Sequence, residues 1–189
     1  MIAIGFGHRK RMGKDAASKI MLDILRQRFP HKKIGICHWA DKLKMVCYDL
    51  YKWAGVQPPG YYDQYPDKRK EIIPALGVTV VDLWIKVGTP MFRDMVHQDT
   101  WINYLMHSIG TMDIAIIADT RFPNEADKIK QSGGLVIKIH RDSVPTNNDV
   151  ADCALEGYTD WDYSIVNKSL DETFTSLLNI VETHPLFAR

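Results

Sequence analysis

The chain has 189 residues, 46% of them hydrophobic and 25% charged, enough to bury one sizeable core and too apolar for wholesale disorder. Its 24 Lys and Arg nearly cancel its 23 Asp and Glu, for a net charge of +1; a general nucleic-acid coat is excluded, a local basic pocket is not. Three cysteines (Cys37, Cys47, Cys153) without a CxxC exclude a disulfide framework or a zinc ribbon and point to reduced thiols in the cytoplasm.

The first apolar run, residues 2–6 (IAIGF), reads as a buried strand ending at Gly7. From Ala16 to Arg28 the apolar residues recur at helical spacing, and Pro30 ends that helix. Residues 33–37 (KIGIC) read as a second strand, and 40–54 as a helix with Leu43, Cys47, Leu50, Tyr51 and Ala54 on one face. Residues 55–78 carry repeated Pro and Gly, three tyrosines and Lys68-Arg69-Lys70. They are expected to be irregular, a lid-like insertion on the substrate side. A helix over 79–87 is expected to break at Gly88-Thr89-Pro90, and another covers 100–109 with Trp101, Leu105 and Ile109 inward. Residues 114–118 (IAIIA) read as a central parallel strand, apolar on both faces. Pro123 opens a helix closed by Gly133-Gly134. Strands follow at 135–139 and 163–166, then a terminal helix with Leu170, Phe174, Leu177, Leu178 and Val181 inward. Alternating strands and helices predict one α/β domain over 1–189 with a mainly parallel, five-stranded sheet. Ligands of such sheets bind at the carboxyl ends of the strands.

The loop after the first strand is Gly7-His8-Arg9-Lys10-Arg11-Met12-Gly13-Lys14-Asp15, and a helix follows it. Strand, glycine loop, Gly-Lys and helix is the layout of a P-loop, in which backbone N–H groups and the helix dipole cradle phosphates. Lys14 is placed to bridge the β- and γ-phosphates of ATP. Five residues separate Gly7 from Gly13 where the motif has four, so either His8 takes the first glycine position or the loop is one residue longer. Asp15 stands where Ser or Thr holds magnesium, a task a carboxylate can perform. The alternative is a solvated basic turn or a nucleic-acid patch. The strand at 114–118 runs into Asp119-Thr120-Arg121-Phe122-Pro123-Asn124-Glu125. An acid there suits magnesium, and Arg121 suits a phosphate; helix capping and a surface ion pair are the alternative.

Several segments occur in a telling order: the GKD loop, Ala40-Asp41-Lys42-Leu43-Lys44, Gly88-Thr89 with Arg93 and Asp99-Thr100-Trp101, the DTRFPNE segment, then Asp162, Ile165 and Asn167. Together they resemble the deoxynucleoside monophosphate kinases of bacteriophages, over about residues 2–178. The resemblance implies a three-layer P-loop NTPase fold and transfer of the γ-phosphoryl of ATP to a deoxynucleoside monophosphate, with Mg2+. It implies His8, Arg9, Lys10, Arg11, Met12, Gly13, Lys14, Asp15 and Ala16 as the ATP loop. On the substrate side it implies Trp39, Lys42, Lys44, Arg93 and Trp101 together with Asp119 and Arg121, and it gives Asp15 and Asp119 to magnesium. Lys14, Asp119, Arg121 and Arg141 would stand at the reaction centre. Ala16 replaces a Thr frequent in relatives, and residues 152–156 (DCALE) depart from a stretch that usually carries His and Ser.

The expected partners are ATP and a deoxynucleoside monophosphate, with no polymeric nucleic acid and no membrane. No run approaches 18 apolar residues, and the N-terminal charge follows the apolar stretch, the reverse of a signal peptide. The seven histidines lack metal-ligand spacing. Pairing into a homodimer is not decided by any apolar stripe. Rival readings are another small-molecule P-loop kinase, of the dephospho-coenzyme A or phosphomevalonate type, and a nucleotide-binding module without turnover.

Overall fold

A computed structural model describes residues 1–141 and 153–188. The chain divides into two compact units, Met1–His38 with Ser108–Arg189, and Trp39–His107. In chain order the first unit opens with β1 (Ile2–Gly7), α1 (Lys14–Arg28) and β2 (Ile34–Cys37). The second unit contains α2 (Asp41–Tyr51), α3 (Pro59–Gln64), β3 (Ile72–Ile73), β4 (Val78–Thr79), α4 (Val80–Lys86) and α5 (Thr100–Ser108). The first unit resumes with β5 (Ile114–Thr120), α6 (Pro123–Gln131), β6 (Leu135–His140), β7 (Tyr163–Val166) and α7 (Leu170–Thr183).

The first unit is an α/β fold with helices flanking a five-stranded sheet in the order β2-β5-β1-β6-β7, parallel throughout. Both faces of its central strands are covered, which is why β1 and β5 read as unbroken apolar runs. Ile4, Phe6, Ile116 and Ile137 are fully buried, each worth roughly 1.5–3 kcal/mol of transfer free energy. Ala17, Met21, Ile24 and Leu25 of α1 and Leu177, Ile180 and Val181 of α7 join the same core. Gly133, at φ +75°, turns the chain out of α6 into β6. A β-carbon on Gly134 would lie 2.3 Å from the Ala3 carbonyl oxygen, so β6 can enter beside β1 only with glycine there. With β5 on one side of β1 and β6 on the other, the strand order reverses at β1, and the crevice that binds ligands in such sheets opens at the carboxyl ends of these three strands.

The second unit has its own core, including Leu43, Cys47, Val56, Tyr62, Ile73, Val80, Leu83 and Val87. Residues 55–78, expected to be irregular, supply three of these side chains and form α3, a 3-10 helix over Pro66–Lys70 and most of the β3–β4 hairpin. The expected break at Gly88-Thr89-Pro90 is instead part of a π-helical stretch, Val87–Asp94. Proline has no N–H to leave unpaired there, and the wider π turn tolerates its ring. Two helix faces also differ from expectation. Leu50 is 54% exposed at the end of α2, and Leu170 and Phe174 are exposed on α7. Thr173 takes the inner position of α7, because its hydroxyl is satisfied by the Asn167 side chain and the Ser169 carbonyl. Among the described residues no helix is long and apolar enough to cross a membrane.

Candidate active site

The loop between β1 and α1 has three residues in the left-handed region: His8 at φ 105°, Arg11 at φ 60° and Gly13 at φ 93°. Three positive-φ residues within six positions keep this loop from continuing as strand or helix. For His8 and Arg11 this backbone costs about 1–3 kcal/mol each, a cost borne where function requires the shape. His8 thus adopts the glycine-like backbone of the first motif position, with four residues between it and Gly13.

Lys14 begins α1 and is buried; its ammonium donates to the carbonyls of His8 at 2.9 Å and Arg9 at 2.5 Å. The loop is wrapped around the group that would meet the triphosphate. Asp15 is exposed in the first turn of α1 and Ala16 is half-buried behind it. Lys10 and Arg11 are exposed. Met12 is buried and points inward, its sulfur 3.3 Å from the Arg141 backbone nitrogen, so it anchors the loop. Arg9 forms an ion pair with Glu156, which gives the Cys153–Glu156 part of the DCALE stretch a place against the loop; Asp152 lies outside the described residues.

The His8 ring meets the His140 ring edge-on, centroids 6.4 Å apart, and the buried Nδ1 of each has no hydrogen-bond partner among the described residues. Burial, then the positive charges of Lys138, His140, Arg9 and Lys14, push the His8 pKa down to about 4. The imidazole is neutral at pH 7, in a neighbourhood of cations suited to a polyanion.

The end of β5 lies next to this loop. Between the pairs Gly5–Ile117 and Gly7–Thr120 the β1–β5 register shifts by one residue, and half-buried Asp119 lies in that bulge. Bulges of this kind re-aim a side chain beside functional sites. Arg121 follows, half-buried, its N–H and that of Phe122 donating to Glu125 Oε2 at 2.8 and 3.2 Å. Glu125 therefore serves the start of α6 and fixes the backbone of Arg121. At the end of β6, Arg141 is exposed, with Nε donating to the Asn167 carbonyl at 3.2 Å. Residues 8–16, Asp119, Arg121 and Arg141 are thus brought together at the carboxyl ends of β1, β5 and β6.

Trp39, Lys42, Lys44, Arg93 and Trp101 lie in the second unit. Trp39 is buried. Lys42 lies over the Tyr104 ring and Lys44 over the Trp84 ring, each 5.4 Å from the centroid. Two residues apart on a helix, these lysines face different sides. Arg93 Nε donates to the Gln98 carbonyl at 3.2 Å. The Trp101 indole N–H donates to the Gly88 carbonyl at 3.0 Å, and its ring rests against Phe92 with centroids 5.0 Å apart. Glu125, His140, Glu156 and Asn167 were given no individual role by sequence reasoning. An acid at the third position of a Pro-led helix was the available signal for Glu125; His140 offered none.

No family model matches the chain. Over 200 aligned residues, 96% of this chain and 97% of the other, it is 28% identical to a protein of Acanthamoeba polyphaga mimivirus named "Putative deoxynucleotide monophosphate kinase". Over 51 residues, 26% of this chain and 20% of the other, it is 39% identical to the deoxynucleoside-5'-monophosphate kinase of Escherichia phage T5. The chain is thus similar along nearly its whole length to one viral protein named as a deoxynucleotide monophosphate kinase, and over about a quarter of its length to a second.

Proposed function

We propose that the protein transfers the γ-phosphoryl group of ATP to a deoxynucleoside 5'-monophosphate, giving the diphosphate, in the cytoplasm. The observation that carries this reading is the buried Lys14 ammonium held inside a loop with left-handed His8, Arg11 and Gly13, between the ends of β5 and β6. The names of the mimivirus and phage relatives support the choice of acceptor.

Two polyanions must approach in line, so the chain's work is positioning and charge neutralisation. The loop amides and Lys14 grip the triphosphate tail; Lys14 follows the moving phosphoryl group as its charge shifts toward the leaving oxygen. Arg121 and Arg141, after the two strands that flank β1, offset charge on the transferring and accepting phosphates. The motif resemblance assigns Lys42, Lys44, Arg93 and the Trp39 and Trp101 rings to the monophosphate. Among the described residues no group of three or more His, Cys, Asp or Glu is arranged to hold a metal by itself. Two separate carboxylates, Asp15 and Asp119, fit a magnesium ion that arrives on the nucleotide, since this ion takes one or two carboxylates plus substrate phosphates. Bound there, magnesium would neutralise phosphate charge. Asp119 acts as an organiser rather than a required general base.

The test is a panel of acceptors with ATP and magnesium: dGMP, dTMP, dCMP, dAMP, the ribonucleotides, dephospho-coenzyme A and phosphomevalonate. Diphosphate formation from at least one deoxynucleotide at the highest kcat/KM is expected. A preference for either non-nucleotide acceptor would replace the reading with a different P-loop kinase, and no turnover of any acceptor would leave a nucleotide-binding module.

A further inference from the structure

Asn167, just after β7, uses every polar atom it has, and three of its contacts end on the loops that form the site. Its side-chain Nδ2 donates to the Met12 carbonyl at 2.9 Å in a buried contact that spans 155 residues of sequence. Its Oδ1 accepts the Thr173 hydroxyl at 3.2 Å. Its backbone N–H donates to the His140 carbonyl at 2.8 Å, and its backbone carbonyl accepts Arg141 Nε at 3.2 Å. A β-carbon on Gly13 would lie 2.0 Å from Asn167 Nδ2. The amide and the loop therefore touch with no space between them.

The Met12 carbonyl and the Gly13 N–H belong to one planar trans peptide and point in opposite directions. Whatever holds the carbonyl aims the N–H. Asn167 draws the carbonyl into the protein and so turns the Gly13 N–H outward, to the side where the loop would receive a phosphate. Left-handed Gly13 is costly to hold in place without such a tie, because glycine has many other conformations open to it. The residue type follows from the contacts: one end must donate to a carbonyl and the other accept a hydroxyl, in a side chain short enough to fit beside Gly13. Aspartate has no donor for Met12, and leucine has neither group.

We propose that Asn167 is a positioning residue for nucleotide binding. It sets the aim of the phosphate-loop amides through the Met12 carbonyl and, through its own carbonyl, holds Arg141 beside them. The inference rests on the kinase reading for the identity of the ligand, while the positioning of the loop is a property of the protein alone.

The experiment compares Asn167→Asp and Asn167→Ala with Thr173→Val, which removes the hydroxyl partner but keeps the tie to Met12. Calorimetry with a non-hydrolysable ATP analogue, KM for ATP and for the monophosphate, thermal unfolding, and amide exchange of residues 8–14 without ligand are measured for each. Both Asn167 variants should weaken the analogue at least about tenfold and raise KM for ATP more than KM for the monophosphate. They should also speed exchange in residues 8–14. Thr173→Val should lower the melting temperature with analogue affinity within about twofold of wild type. Unchanged affinity in Asn167→Ala would overturn the proposal, as would affinity losses that simply track melting temperature across all three variants. Should the wild type itself bind no analogue, the kinase reading fails, and the exchange comparison alone decides whether Asn167 positions the loop. If neither Asn167 variant folds, Asn167→Gln, whose extra methylene displaces the amide from the Met12 carbonyl, takes their place; wild-type analogue affinity with wild-type exchange in residues 8–14 would overturn the proposal.

Discussion

The Glu125 carboxylate accepts the backbone N–H of Arg121 at 2.8 Å, so the arginine expected to meet phosphate is held by its own main chain. Glu125 is 95% buried and also takes the Phe122 N–H at 3.2 Å. Glu125→Ala leaves two backbone donors unpaired, a loss of about 1–3 kcal/mol. For a chain of this size each kcal/mol lowers the melting temperature by roughly 2–4 °C. Turnover should fall further than stability alone explains, because Arg121 loses its fixed origin. Glu125→Gln, which keeps an acceptor oxygen, should recover most of both. Equal kcat in the alanine variant at a temperature where it is fully folded would show that the backbone of Arg121 needs no such anchor.

Lys14 presents the same logic with a charged group. Its ammonium is held by the carbonyls of His8 and Arg9, neither of which needs it for the fold of the sheet. Lys14→Ala should therefore keep a cooperative unfolding transition near that of the wild type and lose more than about a hundredfold in turnover. Circular dichroism melts and an initial-rate assay on the same preparation check both halves. Transfer that survives the substitution would remove Lys14 from the reaction centre.

The sheet was legible because burial on two faces leaves a plain mark. Residues 2–6 and 114–118 read as central strands of a covered sheet, and GKD between a strand and a helix has the layout of a P-loop. Where side chains satisfy one another the mark disappears. Thr173 sits inside α7 and Phe174 outside because a hydroxyl found two partners, which no apolar count reveals. The spacing allowed His8 the first glycine position without requiring it, and its φ of 105° is visible only in the backbone. Asn167 and Glu125 act through other residues' peptide groups, and such contacts carry no spacing rule; Asn167 and Met12 are 155 residues apart.

The second unit offers a test of the acceptor side. The Trp101 indole N–H holds the Gly88 carbonyl inside the π-helical stretch, which also carries Arg93. Trp101→Phe keeps an aromatic ring against Phe92 and deletes that donor. A loss of about 1 kcal/mol in stability is expected. KM for the monophosphate should rise severalfold, with KM for ATP unchanged. A rise in KM for ATP alone would move Trp101 away from the acceptor side.

The low pKa of His8 makes stability depend on pH in a defined direction. An unfolded chain binds a proton at this imidazole below about pH 6.5, its ordinary value. The folded chain resists until about pH 4, because burial and the nearby Lys138, His140, Arg9 and Lys14 oppose the cation. Between those values the unfolded state holds more protons, so stability is full above pH 6.5 and falls as the pH drops toward 4. The slope from one such group is at most about 1.4 kcal/mol per pH unit, and smaller here because solvent screens a half-buried ring. Urea titrations at half-unit steps from pH 7 to 4.5 should show the decline. His8→Asn, which tolerates the left-handed backbone and carries no titrating ring, should flatten it. If the variant declines as steeply as the wild type, the pH dependence belongs to other groups and His8 is not held neutral by its surroundings.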